Sequence, residues 1–390
     1  MNTAIINSFG FESGGMTTLC LYYSKLGFDV YIKDKVHPLK YKMSIENANI
    51  YNSDDELLDI SKKYDRLIFL PPAYKSDLKS GLYEKAFLPI FDIRKNNPNV
   101  ELCYLYCSRD SDDFIDYLLP VLTRNNFDFD HYFSITPKLL NIKSNVKCFD
   151  INAFIFDGDV NIRYDSDIVF TAGRVEGFKG VVKYFDNINF DSGYTYVHEG
   201  AGYNFNKNGN VSVPLQLLNV KNNPNVLFKQ YGDVPVINKL NIYPTYKLED
   251  AKYRWSNYFA GICCIMGTKT LYKKGNTLFD KDTWFVDNKA EDTLISKQSK
   301  LWGIGGLEYA NLEMINIGIP VLFSRGYSNI IGFNDDRLIY NRFSEIPTKL
   351  DKLKSHDVYE DTIKYQREFF IKKQADINKT IIDIFRGEII

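Results

Sequence analysis

No run of about 18 consecutive apolar residues, the length a membrane span requires, occurs in this chain of 390 residues. The first ten residues lack a basic start and a cleavable apolar core, and they read as a first β-strand rather than a leader. An excess of positive charge is missing too. With 48 Lys and Arg against 49 Asp and Glu, the formal net charge is −1. That excludes a strongly basic nucleic-acid binder but leaves room for a local basic groove on an otherwise acidic body. Metal-site spacing is absent as well. Cys103 and Cys107 stand four apart, yet no second pair and no cluster of histidines completes a set with them. Cys20, Cys148, Cys263 and Cys264 are scattered through apolar segments, and all the cysteines read as reduced core thiols of a cytoplasmic protein. There is no repeat of solenoid period and no long low-complexity segment.

What the chain does contain is a steady alternation of apolar runs and helix-period segments. Its 45% hydrophobic content is that of a globular protein, and its length favours two domains. Ala4-Ile5-Ile6 leads through a glycine turn to a helix near 15–26, then to a strand at Val30-Tyr31-Ile32. Residues 67–70, 100–105 and 132–134 are further strands, with a helix over 112–124. The pattern falters over 140–166, where Asn, Asp, Gly and Ser cluster, and restarts at Asp167. Strands are expected at 167–172, 194–198, 225–231, 261–266, 320–324 and 337–341, with helices between them. A last helical segment, 357–386, is long enough to reach back across the first domain. We therefore expect an α/β protein of two Rossmann-like, doubly wound domains facing across a cleft at the carboxyl ends of their strands. The first domain is expected over 1–165 and the second over 166–355, with 356–390 as the returning helix.

Several segments carry candidate chemistry. Residues 173–180 follow the apolar run Ile168-Val169-Phe170 and open a helix through Val181, Val182 and Phe185. Arg174 and Lys179 thus stand at a strand-to-helix junction, where free N–H groups and the helix dipole favour an anion. A solvated face is the ordinary alternative. Glu308 and Glu313 belong to a helix running into Gly318-Ile319-Pro320 and a strand at Val321-Leu322-Phe323. Five residues separate them, so they diverge by about 140° and can meet opposite ends of an extended ligand, not one group. Leu307, Ala310, Met314 and Ile317 form an apolar stripe, so a core-packed helix with solvated glutamates is the competing reading. Cations for a diphosphate and carboxylates for ribose and sugar hydroxyls suit a nucleotide sugar, and hence a sugar transferase.

In the first half, Gly14 and Gly15 lie in a glycine turn after the first strand, where a backbone can approach a bound group. No lysine precedes the threonines, so it is not a Walker A loop; an ordinary tight turn is the alternative. Arg109 and Asp110 follow the strand at 100–105. There Asp110 can orient or deprotonate an acceptor hydroxyl and Arg109 can meet a phosphate, unless Asp110 or Ser111 simply caps the next helix. Glu199, in His198-Glu199-Gly200, ends a strand of the second half and can face the donor. Lys33, Lys35, His37, Lys40, Tyr41 and Lys42 mix cations with an aromatic, which suits a phosphodiester backbone with stacked bases as well as it suits a solvated loop.

Arg174 and Lys179 together with Leu312-Glu313 and Gly318-Ile319-Pro320 resemble the retaining glycosyltransferases of the two-domain GT-B fold. By that resemblance Arg174 and Lys179 bind the donor pyrophosphate and Glu313 contacts the ribose; Gly305 stands where the partner glutamate of that class belongs. A narrower resemblance is to the T-even-type bacteriophage DNA α-glucosyltransferases. It is carried by residues 10–17, by Leu307-Glu308-Tyr309 with Leu312-Glu313, by Gly173-Arg174 with Lys179-Gly180, and by His198-Glu199-Gly200. Those enzymes carry a His-Asp pair where this chain has Cys107-Ser108-Arg109-Asp110-Ser111. The resemblance implies Glu308 at the transferred sugar, with Tyr309, Gly14, Gly15 and Glu199 completing a donor site, and a UDP-sugar as co-substrate with neither resident cofactor nor divalent metal. It implies transfer of glucose, or a pentose such as arabinose, to 5-hydroxymethylcytosine in double-stranded phage DNA with retained configuration. It further implies a monomer free of membranes, working in the cytoplasm of an infected host and protecting DNA from host nucleases. A polysaccharide- or lipid-directed glycosyltransferase, or a non-catalytic protein binding a nucleotide sugar or DNA on this scaffold, are the alternatives.

Overall fold

The computed structural model describes residues 1–8, 15–33, 48–71, 82–106, 114–135, 137–157, 160, 168–172, 185, 190–200, 204–205, 211–212, 223–230, 264–265, 309–316, 318–325, 328 and 331–388, and all that follows concerns these. The first half builds a seven-stranded parallel sheet from β1 (Thr3–Asn7), β2 (Asp29–Lys33), β3 (Ala48–Tyr51), β4 (Arg66–Phe69), β5 (Glu101–Tyr106), β6 (His131–Ser134) and β7 (Val146–Cys148). Its order is β3-β2-β1-β4-β5-β6-β7, the doubly wound arrangement that reverses direction beside β1. A parallel sheet is covered on both faces, so its central strands are mostly apolar and buried, with Thr3, Asn7 and Arg66 as polar exceptions at the strand ends. The strand β1 is buried along its length, and β4 likewise.

The period of two sends alternate residues to opposite faces. Ile5, Ile68, Cys103 and Phe133 join α1 (Gly15–Lys25) on one side. Ala4, Ile6, Leu67, Phe69, Leu102 and Tyr104 pack on the other with α2 (Asp54–Ser61) and α3 (Leu82–Asn96). Within the expected helix at 112–124, the described part is a wide turn at Phe114–Leu118 followed by α4 (Leu119–Arg124).

A second parallel sheet holds β8 (Ile168–Ala172), β9 (Thr195–Gly200), β12 (Val226–Gln230), β13 (Cys264–Ile265), β14 (Val321–Ser324) and β15 (Ile339–Tyr340), in the order β12-β9-β8-β13-β14-β15. A separate antiparallel pair joins β10 (Asn204–Phe205) to β11 (Val211–Ser212). The helices of this half are α5 (Tyr309–Asn316), α6 (Ile346–Leu353) and α7 (His356–Phe385). The strand expected over 337–341 is shorter than its sequence suggests. A tight 3-10 turn occupies Asp336–Leu338, and only Ile339 and Tyr340 pair with β14.

The long helix α7 has 30 residues and is therefore about 45 Å long. It serves both sheets. Its first part buries Tyr359, Ile363 and Phe370; the Phe370 ring lies 5.8 Å from Phe323 of β14 and 5.5 Å from Phe333. Its last part buries Phe385 among Tyr23, Phe28, Phe133 and Phe149 of the first half. One apolar cluster consequently runs unbroken from Ile5 of β1 to Val321 of β14.

The carbonyls that end α7 have no partners within the helix. Arg66 supplies them, donating to the carbonyls of Ile384 at 2.7 Å and Phe385 at 2.8 Å. Thr3 donates to the Phe385 carbonyl as well. The guanidinium is only 1% exposed, and Glu101 balances it with an Oε2 contact at 2.7 Å. The helix C-terminus, with its partial negative charge, favours such a cation.

Candidate active site

Among the described residues, Lys33 and Glu199 lie at the carboxyl ends of parallel strands, Gly15 opens the helix after β1, and Tyr309 and Glu313 lie on α5. In open α/β sheets ligands bind at those strand ends. Gly15 begins α1 after β1; Gly14 lies outside the described residues. Lys33 ends β2, where its Nζ is 2.6 Å from Asp54 Oδ1 at the start of α2, so its charge is already countered. Lys35, Lys40, Tyr41 and Lys42 lie outside the described residues, as do Arg109 and Asp110, to which β5 leads from Tyr106. In the second sheet β8 ends at Ala172, in register with Glu199 of β9. Arg174 and Lys179 follow that strand end and lie outside the described residues, as does Glu308. The side chain of Glu199 is likewise not described.

Of the residues expected on α5, Tyr309 and Glu313 are described. They stand one turn apart on α5 and so share a face. An apolar stripe with solvated glutamates is the competing reading of this helix, and for Glu313 the structure rules it out: residues 311–316 are buried all round, including Asn311, Glu313 and Asn316. Glu313 is 6% exposed, and a carboxylate so placed needs partners to remain charged. Asn316 has them in part from α7, since Arg367 donates to its carbonyl at 3.2 Å and to its Oδ1 at 3.4 Å. The amide of Asn311 is fully buried with neither its nitrogen nor its oxygen hydrogen bonded.

The end of α5 is fixed from several sides. The Ile319 N–H bonds to the Met314 carbonyl at 2.9 Å and the Gly318 N–H to that of Ile315 at 3.2 Å, the paired bonds of a Schellman stop. Gly318 takes φ +85°, and a Cβ there would lie 2.5 Å from Val160 Cγ1, so two separate constraints require glycine. Beyond Pro320, both backbone groups of Val321 bond to the Gln366 side chain of α7, each at 2.9 Å.

Residues of the first half reach this helix. The Tyr22 ring of α1 stacks on Tyr309 at 5.9 Å with 11° between planes, and Phe154 lies 4.6 Å from Tyr22 and 6.5 Å from Tyr309. Phe156 extends the cluster, meeting Phe154 at 5.0 Å and the Arg367 guanidinium at 6.0 Å. Lys25 Nζ pairs with Asp157 at 2.7 Å beside the same Tyr22 ring. Burial, and next the carboxylate of Glu313, push the Tyr22 phenol well above its ordinary value, so it keeps its proton. Deeper under β1, burial raises the Cys20 thiol to about 12; Asn7 donates to its sulfur at 3.7 Å. That thiol is an inert core group.

Tyr22, Phe154, Asp157 and Arg367 have no distinguishing signal in the sequence. Tyr22 stands within the apolar run Leu19-Cys20-Leu21-Tyr22-Tyr23 and reads as core. Only the return of α7 and of the 150–157 segment shows what these residues meet.

No family model matches the sequence, nor does any curated protein. Solved structures do match. An alpha-glucosyltransferase in complex with UDP-glucose and DNA containing an abasic site superimposes with a TM-score of 0.64 at 14% identity, covering 98% of this chain and 99% of that one. An alpha-glucosyltransferase with UDP and a 13-mer DNA containing an HMU base gives the same score and identity, over 98% of each chain. HepE of Anabaena, in complex with UDP-glucose, follows at a TM-score of 0.56 and 9% identity over 99% of both chains. The two parallel sheets, the helix returning from the second to the first and this likeness over nearly the whole length together establish the GT-B fold for this chain.

Proposed function

We propose that this protein is a retaining glycosyltransferase that moves a sugar, glucose or a pentose such as arabinose, from a UDP-sugar to the hydroxymethyl group of 5-hydroxymethylcytosine in double-stranded phage DNA. The observation that carries the reading is likeness over 98% of the chain to an alpha-glucosyltransferase described with both UDP-glucose and DNA. The buried Glu313, held beside Tyr22 and Tyr309 where the two halves meet, supports it.

In this reading residues 1–165 receive the DNA, residues 166–355 hold the nucleotide sugar, and residues 356–390 tie the two together. Glu313 accepts hydrogen bonds from the ribose hydroxyls, while Glu308, Tyr309 and Glu199 address the sugar end with the Gly14-Gly15 turn. Arg174 and Lys179 neutralise the departing diphosphate as the anomeric carbon becomes cationic. The glycosidic C–O bond to phosphate breaks, the acceptor oxygen bonds to the same face, and its proton passes to the leaving phosphate oxygen or to Asp110. A base inside a duplex is out of reach, so the nucleotide is flipped into the site at a cost of a few kcal/mol. Arg109, Lys33, Lys35, Lys40, Tyr41 and Lys42 track the backbone; for Lys33 this requires release from Asp54. Among the described residues no helix is long and apolar enough to cross a membrane. The proposed setting is the cytoplasm of an infected host, as a monomer, with the modified DNA shielded from host nucleases.

The test is mass spectrometry of nucleosides after incubating hydroxymethylated duplex DNA with a panel of UDP-sugars. A hexosyl or pentosyl adduct on hydroxymethylcytosine, abolished by Arg174→Ala or Lys179→Ala in folded protein, is the expected result. Transfer to a polysaccharide or lipid acceptor with none to DNA would overturn the acceptor. Absence of transfer and of donor hydrolysis with every UDP-sugar would overturn the enzyme.

A further inference from the structure

Two buried hydroxyls in the first half do nothing for the fold. Tyr51 ends β3 and is 1% exposed, and its hydroxyl has no hydrogen-bond partner. The Ser8 hydroxyl, one residue beyond β1, is buried in the same condition. Phenylalanine and alanine would fill these places without a desolvated oxygen, so the hydroxyls call for another explanation. Strand register aligns them. Asn7 lies opposite Ile32, so Ser8 falls beside Lys33, and Lys33 lies opposite Tyr51. The three form one row across the carboxyl ends of β1, β2 and β3, spaced about 4.8 Å from strand to strand. They also share a face. Ile6, Tyr31 and Tyr51 pack on the side that Leu57 and Ile60 of α2 cover, and alternation returns Ser8 and Lys33 to that side. The middle member is charged and already holds an oxyanion: Lys33 Nζ lies 2.6 Å from Asp54 Oδ1, with its side chain 28% exposed. Burial keeps the Tyr51 phenol above its ordinary pKa, with Ser8 acting against burial and Asp54 acting with it, so the phenol remains a donor.

We propose that Ser8, Lys33 and Tyr51 form a phosphate site for the acceptor DNA strand, in which the two hydroxyls donate to the phosphate that Lys33 meets. The inference rests on the acceptor reading above and adds two neutral donors beside one of its cations. One charged and two neutral donors suit a phosphodiester, which carries a single negative charge. Asp54 is the stand-in: its carboxylate holds Lys33 until a phosphate oxygen replaces it, and the swing of Lys33 away from Asp54 opens the row from the solvent side. The free protein then bears the penalty of two unpaired hydroxyls, and the phosphate relieves it.

The test titrates the full-length protein with duplex DNA containing 5-hydroxymethylcytosine at several salt concentrations, and with UDP as the other source of phosphate. Tyr51→Phe is expected to weaken DNA binding about tenfold, and Ser8→Ala by less. The melting temperature of each should equal or exceed that of the original protein, because neither hydroxyl has a bond to lose. Neither substitution should change the slope of log affinity against log salt, since a neutral donor releases no counterion. Lys33→Gln should lower that slope by about one. Asp54→Asn, which frees Lys33, should tighten DNA binding, and UDP affinity should stay the same throughout. Unchanged DNA affinity in both Tyr51→Phe and Ser8→Ala overturns the inference. So does a loss of UDP affinity in place of DNA affinity, or weaker DNA binding by Asp54→Asn. Ser8→Ala disturbs no ring packing and carries the same readouts if Tyr51→Phe folds poorly. Failure of the unsubstituted protein to bind the duplex is a different result, and overturns the acceptor reading beneath.

Discussion

The two ends of α7 grip the molecule by opposite means. Near its start, the helix reaches out: Gln366 bonds to the N–H and carbonyl of Val321, and Arg367 to Asn316. Near its end, it is reached for. Arg66, buried in the first sheet and paired with Glu101, donates to the last carbonyls of the helix. A side chain offered by a helix can be deleted with loss of one or two hydrogen bonds. Removing a buried cation takes a partner from a carboxylate and two carbonyls at once, leaving Thr3 at the Phe385 carbonyl, the Gly387 N–H at that of Ile384 and His131 at Glu101. The first-sheet end should therefore be the stronger anchor.

The largest effect is expected from Arg66→Ala, at about 3–5 kcal/mol, because it removes a buried cation together with its bonds to the Ile384 and Phe385 carbonyls and its pairing with the partly buried Glu101. Urea unfolding should show it, with hydrogen exchange at 380–387 rising before exchange elsewhere. A loss no larger than that from Gln366→Ala would break the contrast. Next comes Gly318→Ala, which places a methyl against Val160 and forces a positive φ on a side chain, at about 1–3 kcal/mol. Val160→Ala in the same molecule should restore part of this stability, since it removes the nearer clash and leaves the backbone strain.

Gln366→Ala should cost about 1–3 kcal/mol, the desolvation of two unpaired groups on Val321. The thermal midpoint of this variant should fall below that of the original protein and above that of Arg66→Ala.

The smallest effect concerns His131, whose Nε2 lies 2.8 Å from Glu101 Oε1 beside the Arg66 pair. Burial holds its pKa below the ordinary value and outweighs Glu101, which acts in the other direction. The unfolded chain then takes up its proton at higher pH than the folded one. Stability therefore falls as pH drops from about 6.5 towards the depressed folded value, and is recovered as pH rises. Urea midpoints compared between pH 8 and pH 5.5 should show a smaller drop in His131→Gln than in the original protein. An equal drop would remove His131 from the anchor.

The parallel strands of both sheets were legible because buried parallel strands are unbroken apolar runs, as in Ile5-Ile6 and Val321-Leu322-Phe323. The edges were not. Ala48–Tyr51 and Val146–Cys148 are short strands with polar residues among the apolar ones, and Ile50 is exposed. Such edges gain their identity from a neighbour rather than from composition. Glu313 stood out as a candidate from its place before Gly318-Ile319-Pro320, but its burial could not be read. Water is excluded from α5 by Tyr22, Phe154 and Arg367, from three distant parts of the chain. Sequence periodicity records which residues are apolar; it carries no information about which helix face a remote segment will cover.

A rod bolted at both ends also fixes its own length. Between Gln366, which holds Val321, and Asn378, which holds Phe154, the helix is unbroken, so one residue added or removed would turn everything beyond it by about 100°. Asn378 would swing off Phe154, and Phe385 would leave its aromatic nest. Surface loops of this protein are free to lengthen or shorten over evolutionary time. This stretch of α7 must keep count, residue for residue, for as long as the two halves work together.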